Sequence, residues 1–329
     1  MNSVSSKNKN EYRLACRQMG CAFELIVVHH QEDEARHLLD IGLAEIQRIE
    51  DLLSEFRSDS LTTTINREAA KAPLRVNREV FELLKRCQQL SAMSQGAFDI
   101  TVGPLKKLYR FKKEQLTFPS PLDIQQALDR VGYHRIELDD QAQTIRLTQD
   151  QMFLSFAAIG KGYAADRVKK LWLDHGLTSG VINASGDLTA FGKNHQGKDW
   201  QLSIRHPDHP DVSFLRLPAH HLSLATSGDY EQFFIHNNTR YSHSIHPRTG
   251  YPIHGVKSVS VISPSAELSD ALATAVFVMG ADTGIHLIDQ LPGTHCILVD
   301  EQNRPHFSKN IQTADETSGT KPTLNHLRE

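Results

Sequence analysis

Few cysteines occur in this sequence, and their spacing fits no paired site. Four of its 329 residues are cysteines, and they form neither a CxxC pair nor a zinc-ligand spacing: Cys16, Cys21, Cys87 and Cys296. A zinc site is therefore not expected. Free thiols are typical of proteins in a reducing compartment, so the cysteines favour a cytoplasmic protein.

Long apolar runs and a large excess of one charge are also missing. No stretch approaches the roughly 18 consecutive apolar residues of a membrane-spanning helix, which argues against membrane insertion. The N-terminus is polar and lacks the apolar segment of a signal peptide, which again favours the cytoplasm. The net charge of −3 predicts no broad basic surface, so nucleic acid is not an expected partner.

The sequence does contain enough apolar material for a folded protein. Hydrophobic residues make up 39% and charged residues 23% of the chain, which is typical of globular proteins. The polar segments 1–10 and 308–329 have almost nothing to bury, and both are predicted to be disordered. Between them lies continuous globular sequence, long enough for one large domain or two ordinary ones.

Helices are predicted where apolar residues recur every three to four positions. The first is a long amphipathic helix with its apolar face over residues 35–53. A second helix is predicted to begin after Asn77, whose side chain is a suitable N-cap. A third, over 160–176, is opened by a GKG triplet and closed by a glycine, and a fourth spans about 265–279.

Strands are predicted where apolar residues alternate or β-branched residues cluster. The first is expected over 18–28, a short one at 98–104, and a hairpin from strands at 144–147 and 152–156. Further strands follow at 181–183, 188–191, 200–205, 222–226, 230–235, 239–245 and 256–263. Helices between strand meanders, without regular βαβ alternation, predict an α+β fold with antiparallel sheet. The order strands, long helix, strands occurs twice, which suggests two related halves.

One histidine is distinguished by its position. His243 lies at the end of a predicted strand, and the turn PRTG at 247–250 follows closely. Proline fixes φ and glycine permits positive φ, so the turn is rigid and the imidazole has a controlled reach. A base held in this way can accept a proton from a substrate. Since the chain contains 18 histidines, the alternative is a hairpin corner that contains one by chance.

The sequence GKGY at 160–163 lies at a predicted helix N-terminus. Free N–H groups and the helix dipole favour an anion there, and Lys161 adds a positive charge, so a phosphate site is one interpretation. An ordinary turn with a surface lysine is the other. The segment matches neither the P-loop nor the dinucleotide-binding glycine pattern.

Asp270 and Thr274 lie four residues apart on the fourth predicted helix, so both project from one face. A carboxylate and a hydroxyl supply the hard oxygen ligands that Mg²⁺ prefers, and Mg²⁺ needs few protein ligands where phosphates complete its shell. The alternative is a solvated helix start, where aspartate is common.

Two short polar segments leave their role open. The segment NASGD at 183–187 breaks a predicted strand with glycine, which indicates either a bulge or a close approach of the backbone to a ligand. The segment TSGD at 226–229 is most simply a tight turn, although its hydroxyls could also meet a phosphate.

Eight segments, taken together and in order, resemble the ApbE family, the FAD:protein FMN transferases. They are MG at 19–20, SDS at 58–60 with Asn66, AFDITVGP at 97–104, GKGY at 160–163, NASGD at 183–187, TSGDY at 226–230, His243 with PRTGYP at 247–252, and DALAT at 270–274. No single segment is decisive, but their shared order over roughly 18–300 is specific.

The resemblance implies an α+β fold of two T-fold-like halves with antiparallel sheets and long packing helices, formed by residues 11–307 as a single flavin transferase domain. It implies that FAD is the substrate and binds between the halves. With Mg²⁺, FMN would pass through its phosphate to a threonine or serine of an acceptor flavoprotein, and AMP would be released. Two other activities remain open: Mg²⁺-dependent FAD hydrolysis to FMN and AMP, and FAD binding without catalysis.

The resemblance also implies roles for individual residues. His243 would be the base that takes the proton of the acceptor hydroxyl. The backbone carbonyl of Ala158, with Asp270 and Thr274, would hold Mg²⁺. The residues implied to contact FAD are Met19, Phe56, Ala97, Phe98, Asp99, Ser155, Lys161 and Ser244.

Several positions depart from the family pattern. Ser155 and His246 stand where aspartate is usual, and Ser185 stands where glycine is usual. The second histidine suggests a hypothesis about the base. If both imidazoles face one pocket, protonation of His246 would lower the pKa of His243.

Overall fold

The computed structural model describes residues 9–109, 118–209, 213–228, 233–236, 239–309, 311–312 and 323–324. Most of the two segments predicted to be disordered, 1–10 and 308–329, lies outside these ranges, as does the start of the strand predicted at 230–235. None of the helices in these ranges combines the length and the apolar character that crossing a bilayer requires.

The four predicted helices correspond to α1, α3, α6 and α7 of the structure. The helices are α1 (Glu32–Leu53), α2 (Leu61–Glu68), α3 (Arg78–Met93), α4 (Gly103–Leu108), α5 (Pro121–Leu128), α6 (Gly160–Asp174), α7 (Ala266–Met279) and α8 (Ala281–Ile288). The strands are β1 (Asn10–Gln18), β2 (Cys21–His29), β3 (Leu74–Arg75), β4 (Ile136–Asp139), β5 (Thr144–Leu147), β6 (Gly180–Ala184), β7 (Asp187–Phe191), β8 (Trp200–Arg205), β9 (Ser213–Ala219), β10 (Leu222–Gly228), β11 (Phe233–His236), β12 (Thr239–Ser242), β13 (Val256–Ser263), β14 (His295–Asp300), β15 (Pro305–Phe307), β16 (Ile311–Gln312) and β17 (Thr323–Leu324).

A sheet of eight strands forms the centre of the described chain, in the order β1-β2-β6-β7-β10-β13-β14-β15. Each neighbouring pair is antiparallel. Helix α1 contacts β1 and β2, and α6 contacts β6 and β7, whereas α7 contacts β10 and β13 and α8 contacts β14. Two groups of four strands, each with two helices, thus lie side by side. This arrangement confirms the predicted α+β fold with antiparallel sheets.

The two faces of the large sheet are covered by different layers, because side chains alternate along each strand. On β2, Phe23, Leu25 and Val27 are buried in one cluster with α1 and with Trp172 of α6. Ile26, between them in sequence, belongs to a second cluster on the other face, with residues of the β8–β9 hairpin. Helices α1 and α6 therefore lie on one face of the sheet, and the β8–β9 hairpin lies on the other.

The prediction of a strand over 18–28 is wrong for its first three residues, because β1 ends at Gln18 and β2 begins at Cys21. The chain forms a hairpin in which β1 pairs with β2 across a two-residue turn at Met19 and Gly20. Both residues have positive φ, 50° and 75°, as in the tight turns whose twist matches that of the flanking strands. Glycine adopts positive φ readily and methionine does not, so the sequence Met19-Gly20 did not indicate a turn of this kind.

The hairpin predicted from 144–147 and 152–156 is also wrong. β5 pairs with β3 and β4 instead, and residues 152–156 are not a strand. The side-chain amide of Asn66 holds this second segment. It donates to the carbonyl oxygen of Leu154 at 3.0 Å and accepts from the Leu154 N–H at 2.7 Å. Two hydrogen bonds with a side chain thus replace the strand-to-strand hydrogen bonds that the alternating pattern predicted.

The short strand predicted at 98–104 is a turn that leads into α4. The carboxylate of Asp99 accepts hydrogen bonds from the N–H and the hydroxyl of Thr101, at 2.8 and 2.7 Å, and from the N–H of Tyr133 at 2.9 Å. These bonds hold the backbone in a turn although the segment is apolar. Burial raises the pKa of Asp99, and the hydrogen bonds offset part of that rise.

Close packing of α6 against α7 positions the polar residues on both helices. A Cβ atom at Gly162 would lie 2.2 Å from the carbonyl oxygen of Ala266, so glycine is required there. Asp166 joins the two helices. Its carboxylate accepts from the hydroxyl of Ser265 and from the N–H groups of Ala266 and Glu267, at 2.7, 3.0 and 2.9 Å. These bonds satisfy N–H groups that the start of α7 leaves free.

Gly162→Ala is expected to lower the free energy of unfolding, although alanine is the better helix former. The new methyl group must displace the Ala266 backbone, and overpacking of this kind typically costs about 1–3 kcal/mol. Gly160→Ala is the matched control, because the nearest neighbour of its Cβ would be the flexible end of Met19 at 3.4 Å. Thermal unfolding should show a lower Tm for Gly162→Ala alone. Equal Tm values for the two variants would contradict the packing argument.

Candidate active site

A polar cavity of about 160 Å³ lies between α6, α7, β10 and the loop that follows β12. We call it the phosphate cavity, because Lys161 and the start of α6, where the sequence suggested a phosphate site, form part of its wall. It collects eight of the predicted site residues from distant parts of the sequence. They are Ala97, Asp99, Ala158, Lys161, His243, Ser244, Asp270 and Thr274.

A second cavity of about 200 Å³ adjoins the first, and Ala157 and Lys161 belong to both walls. The predicted residues Met19 and Phe56 line it. Phe56 is 90% exposed, so its ring is open to stack on a flat ligand. Its backbone is fixed where α1 ends, because the hydroxyl oxygen of Ser54 accepts a hydrogen bond from the Phe56 N–H at 3.2 Å.

Two residues implied to contact FAD line neither cavity. Phe98 is 1% exposed and packs in an apolar cluster that includes the buried face of α3. Ser155 is 3% exposed, and its N–H donates to the carbonyl oxygen of Ile100 at 2.8 Å. Both residues therefore pack inside the protein, behind the walls that Ala97 and Asp99 help to form.

Lys161 pairs with Asp187, a residue for which the sequence suggested no definite role. Its ammonium group contacts the Asp187 carboxylate at the start of β7. The other oxygen of this carboxylate accepts from the N–H of Thr226 at 3.0 Å and so ties β7 to β10. Burial alone would lower the pKa of Lys161, but the charges of Asp187 and Asp270 outweigh it and raise the pKa. The only sequence signal for Asp187 was its place in NASGD.

The side chain of Asp270, which belongs to α7, reaches the N-terminus of α6. One interpretation of the sequence had placed a phosphate there. Its Oδ2 accepts a hydrogen bond from the N–H of Gly162 at 3.0 Å. The anion on this N–H group is thus a carboxylate of the protein itself. Asp270 is 5% exposed, and burial together with the charge of Asp187 raises its pKa to about 7, although Lys161 opposes the rise.

The donor atoms near Asp270 fit a hard divalent cation. Thr274 projects from the same face of α7, and Ala158 lines the same cavity. Around this point two carboxylates, those of Asp187 and Asp270, share one lysine, so more positive charge can be accommodated. The described residues contain no group of three His, Cys, Asp or Glu side chains able to hold a metal. The site around Asp270 and Thr274 does not need such a group to bind Mg²⁺, because Mg²⁺ commonly takes one or two carboxylates with other oxygen ligands.

The segment 226–229, expected to form a tight turn, continues β10 as far as Gly228, and residue 229 lies outside the described ranges. Thr226, Ser227 and Gly228 line the phosphate cavity. The hydroxyl of Ser227 lies 3.3 Å from that of Thr274. This strand end therefore supplies part of the polar wall opposite α7.

Ser185, one of the departures, forms the hairpin tip that precedes Asp187. It has a φ of 54°, a backbone for which glycine is better suited. Its Oγ accepts from the N–H of Ala22 and donates to the Ala22 carbonyl oxygen, both at 3.1 Å. These contacts to β2 offset the strain and fix the turn that presents Asp187 to Lys161.

His243 and His246 have different environments. His243 lines the phosphate cavity, whereas His246 is not part of its wall. The Nδ1 of His246 accepts a hydrogen bond from the N–H of Arg248 at 3.1 Å, as an aspartate carboxylate does in similar turns. Burial and the charge of Arg248 lower the pKa of His246, which favours the neutral ring this bond needs. The structure gives no support to the hypothesis that both imidazoles face one pocket.

The chain that forms this site matches a known family in sequence. The sequence profile of the ApbE family matches residues 19–298. The chain belongs to the ApbE family. A relative named FAD:protein FMN transferase, from Treponema pallidum (strain Nichols), is 32% identical over 281 residues, which cover 81% of this chain and 78% of that protein.

Solved structures of ApbE proteins share the fold. The crystal structure of the ApbE protein from Thermotoga maritima superposes with a TM-score of 0.83 at 29% identity, over 91% of this chain and 97% of that one. The apo form of the flavinyl transferase ApbE from Pseudomonas stutzeri superposes with a TM-score of 0.81 at 27% identity, over 93% and 96% of the two chains. The family resemblance and the fold predicted from the sequence are thereby confirmed.

Proposed function

We propose that this chain transfers FMN from FAD to a threonine or serine hydroxyl of an acceptor flavoprotein and releases AMP. The relative from Treponema pallidum carries the name of this activity. The observation that carries the proposal is the composition of one cavity wall: a histidine, a lysine, and the Asp270–Thr274 pair line the same 160 Å³ space. These are the groups that phosphoryl transfer needs, namely a base, a cation and oxygen ligands for a metal.

The two adjoining cavities suit the two ends of the reaction. We place the flavin and its phosphate across the shared wall at Lys161, with Phe56 and Met19 as apolar surfaces on one side. The reacting phosphorus then lies on the other side, among the polar groups of the phosphate cavity. Asp99 and Ser244 belong to that polar wall and would orient FAD there.

The proposed reaction is one displacement at phosphorus. The acceptor hydroxyl oxygen forms a bond to the FMN phosphorus, and the bond from that phosphorus to the oxygen shared with the AMP phosphate breaks. The hydroxyl proton passes to the imidazole of His243, and AMP leaves with the bridging oxygen. A neutral hydroxyl attacks phosphorus poorly, so a positioned base matters at this step.

Asp270, Thr274 and the carbonyl oxygen of Ala158 are the residues we propose to hold Mg²⁺. When bound, Mg²⁺ would supply positive charge to the pyrophosphate oxygens. The ion pair with Asp187 keeps Lys161 protonated and fixed beside Asp270, so its charge is oriented before the substrate binds. We also propose a cytoplasmic location, which the four free cysteines support.

Covalent labelling tests the proposal. The purified protein, FAD, Mg²⁺ and a candidate acceptor flavoprotein should give an acceptor band that fluoresces on a denaturing gel, with one AMP released per flavin attached. An acceptor whose target hydroxyl is changed to alanine is the control and should remain dark. FMN and AMP released at the same rate without acceptor would instead show hydrolysis. Tight FAD binding without turnover at any Mg²⁺ concentration would show a binding protein and refute the transfer.

A further inference from the structure

A second lysine, Lys106, lines the phosphate cavity, and the sequence gave no reason to single it out. It lies on the short helix α4, next to another lysine, and such pairs usually mark a solvated face. The two side chains separate in the structure. Lys107 is exposed, and its ammonium group lies 3.3 Å from the centre of the Phe153 ring, outside the phosphate cavity. Lys106 is partly buried, and only Lys106 faces the reaction space.

Lys106 carries a charge that no described residue neutralises by contact. It has neither an ion pair nor a side-chain hydrogen bond among the described residues, whereas Lys161 contacts Asp187. Burial lowers the pKa of Lys106, and the carboxylate of Glu55, which acts on it without contact, opposes this shift. Taking an ammonium group partly out of water without a partner is unfavourable unless something else supplies the opposite charge.

The cavity therefore has two electrically different ends. Asp187 and Asp270 influence Lys161, but neither of them contributes to the pKa shift of Lys106. Asp187 and Asp270 lie with Lys161 on the α6–α7 side of the cavity. Asp99 precedes α4, but its oxygens already accept hydrogen bonds from Thr101 and Tyr133, so within the described chain Lys106 on the α4 side has no ion pair. An anion bound in this cavity therefore has Lys106 available on the α4 side.

We propose that Lys106 binds a phosphate oxygen of the flavin nucleotide. The inference rests on the proposed function, because FAD and FMN are the ligands that this function places in the cavity. The anionic groups of these ligands are their phosphates, so an unpaired ammonium group selects that part of the molecule. Lys161 is already paired with Asp187, and Lys106 is the lining lysine left to pair with the substrate.

The test compares ligands with and without phosphate. Lys106→Met removes the charge and keeps most of the length of the side chain, and Lys107→Met is the matched control on the same helix. Binding of FAD, FMN and riboflavin is measured by quenching of flavin fluorescence, without acceptor. A lost charge-assisted hydrogen bond should raise the Kd of Lys106→Met for FAD and FMN by about 10- to 100-fold. The Kd for riboflavin, which has no phosphate, should not change, and Lys107→Met should bind all three as the unmodified protein does.

Thermal unfolding separates this role from a structural one. Lys106→Met should raise the Tm of the ligand-free protein, because it removes a partly buried charge that has no ion pair among the described residues. FAD should then raise the Tm of this variant less than it raises that of the unmodified protein. A lower ligand-free Tm with equal weakening for riboflavin and FMN would overturn the assignment, as would unchanged Kd values for FMN and FAD. If the unmodified protein labels no acceptor while Lys106→Met still binds FMN more weakly and riboflavin as tightly as the unmodified protein does, the transfer fails and the phosphate contact stands.

Discussion

Replacing His243 by alanine is expected to slow acceptor labelling by about 10²–10⁴-fold, the usual contribution of a positioned base. FAD binding should change little, since the proposed role concerns the acceptor proton and not the flavin. The rate is measured as fluorescent acceptor formed with time at saturating FAD and Mg²⁺. Added imidazole, which can enter the space left by the side chain, should restore part of the rate.

His254→Ala is the matched control for this experiment. His254 lies on the same stretch of chain, is exposed, and contacts the ring of Tyr241 at a centroid distance of 5.6 Å, but it does not line the phosphate cavity. This variant should label the acceptor at the rate of the unmodified protein. Undiminished labelling by His243→Ala would remove His243 from the mechanism, and the base would have to be sought elsewhere in the cavity wall.

The parts of the fold predicted correctly are those specified by local physics. Asn77 caps α3 with its side chain at 2.8 Å from the N–H of Val80, as its residue type predicts. The glycine after α7, Gly280, has a φ of 77°, as a helix-ending residue requires. Periodicity likewise located α1, whose buried residues recur every three to four positions.

The parts predicted wrongly depend on contacts between distant residues. Apolar residues alternate in the segment 152–156 as they do in a strand. Its Leu154 N–H and carbonyl oxygen, however, form hydrogen bonds with the side chain of Asn66 on α2 and not with a neighbouring strand. The segment 98–104 is held in a turn by Asp99, whose third partner, the N–H of Tyr133, is far away in sequence. A local pattern contains no information about such partners, so propensity predicted strands there.

The candidate site divides in the same way. The glycines at 160 and 162, together with Asp270 and Thr274, have recognisable spacings, and Lys161, Asp270 and Thr274 line one cavity. Asp187 and Lys106 were not singled out, because a charged residue shows its role only through what lies beside it. Their importance follows from the ion pair that Asp187 makes and from the lack of one at Lys106 among the residues that the structure describes.

Asp270→Asn is expected to abolish the Mg²⁺ response and, in the metal-free protein, to increase stability. Loss of the carboxylate ligand should slow labelling by about 10²-fold or more, because metal-ion charge stabilisation is worth several kcal/mol. In the unmodified protein, burial and the charge of Asp187 raise the pKa of Asp270 from 3.8 to about 7. The folded state therefore prefers the protonated carboxyl, whereas the unfolded chain prefers the ionised form above about pH 4.

Stability should consequently fall as pH rises from about 4 to 7 in the metal-free unmodified protein, and this part of the fall should be missing in Asp270→Asn. At pH 8 the variant should gain about 4 kcal/mol in free energy of unfolding, because the pKa shift is about three units and each unit is worth roughly 1.4 kcal/mol. Asp282→Asn, an exposed carboxyl in the first turn of α8, is the control and should follow the unmodified protein.

Adding Mg²⁺ should reverse the order of stability. Ions that bind only the folded state stabilise it by mass action, so the unmodified protein and Asp282→Asn should gain Tm with increasing Mg²⁺ while Asp270→Asn should not. A metal-free Asp270→Asn that is less stable at pH 8, or that still gains Tm with Mg²⁺, would contradict the metal role. If the Tm curves of the unmodified protein and of Asp270→Asn cross as Mg²⁺ increases, the Asp270 carboxylate serves metal binding and destabilises the metal-free protein.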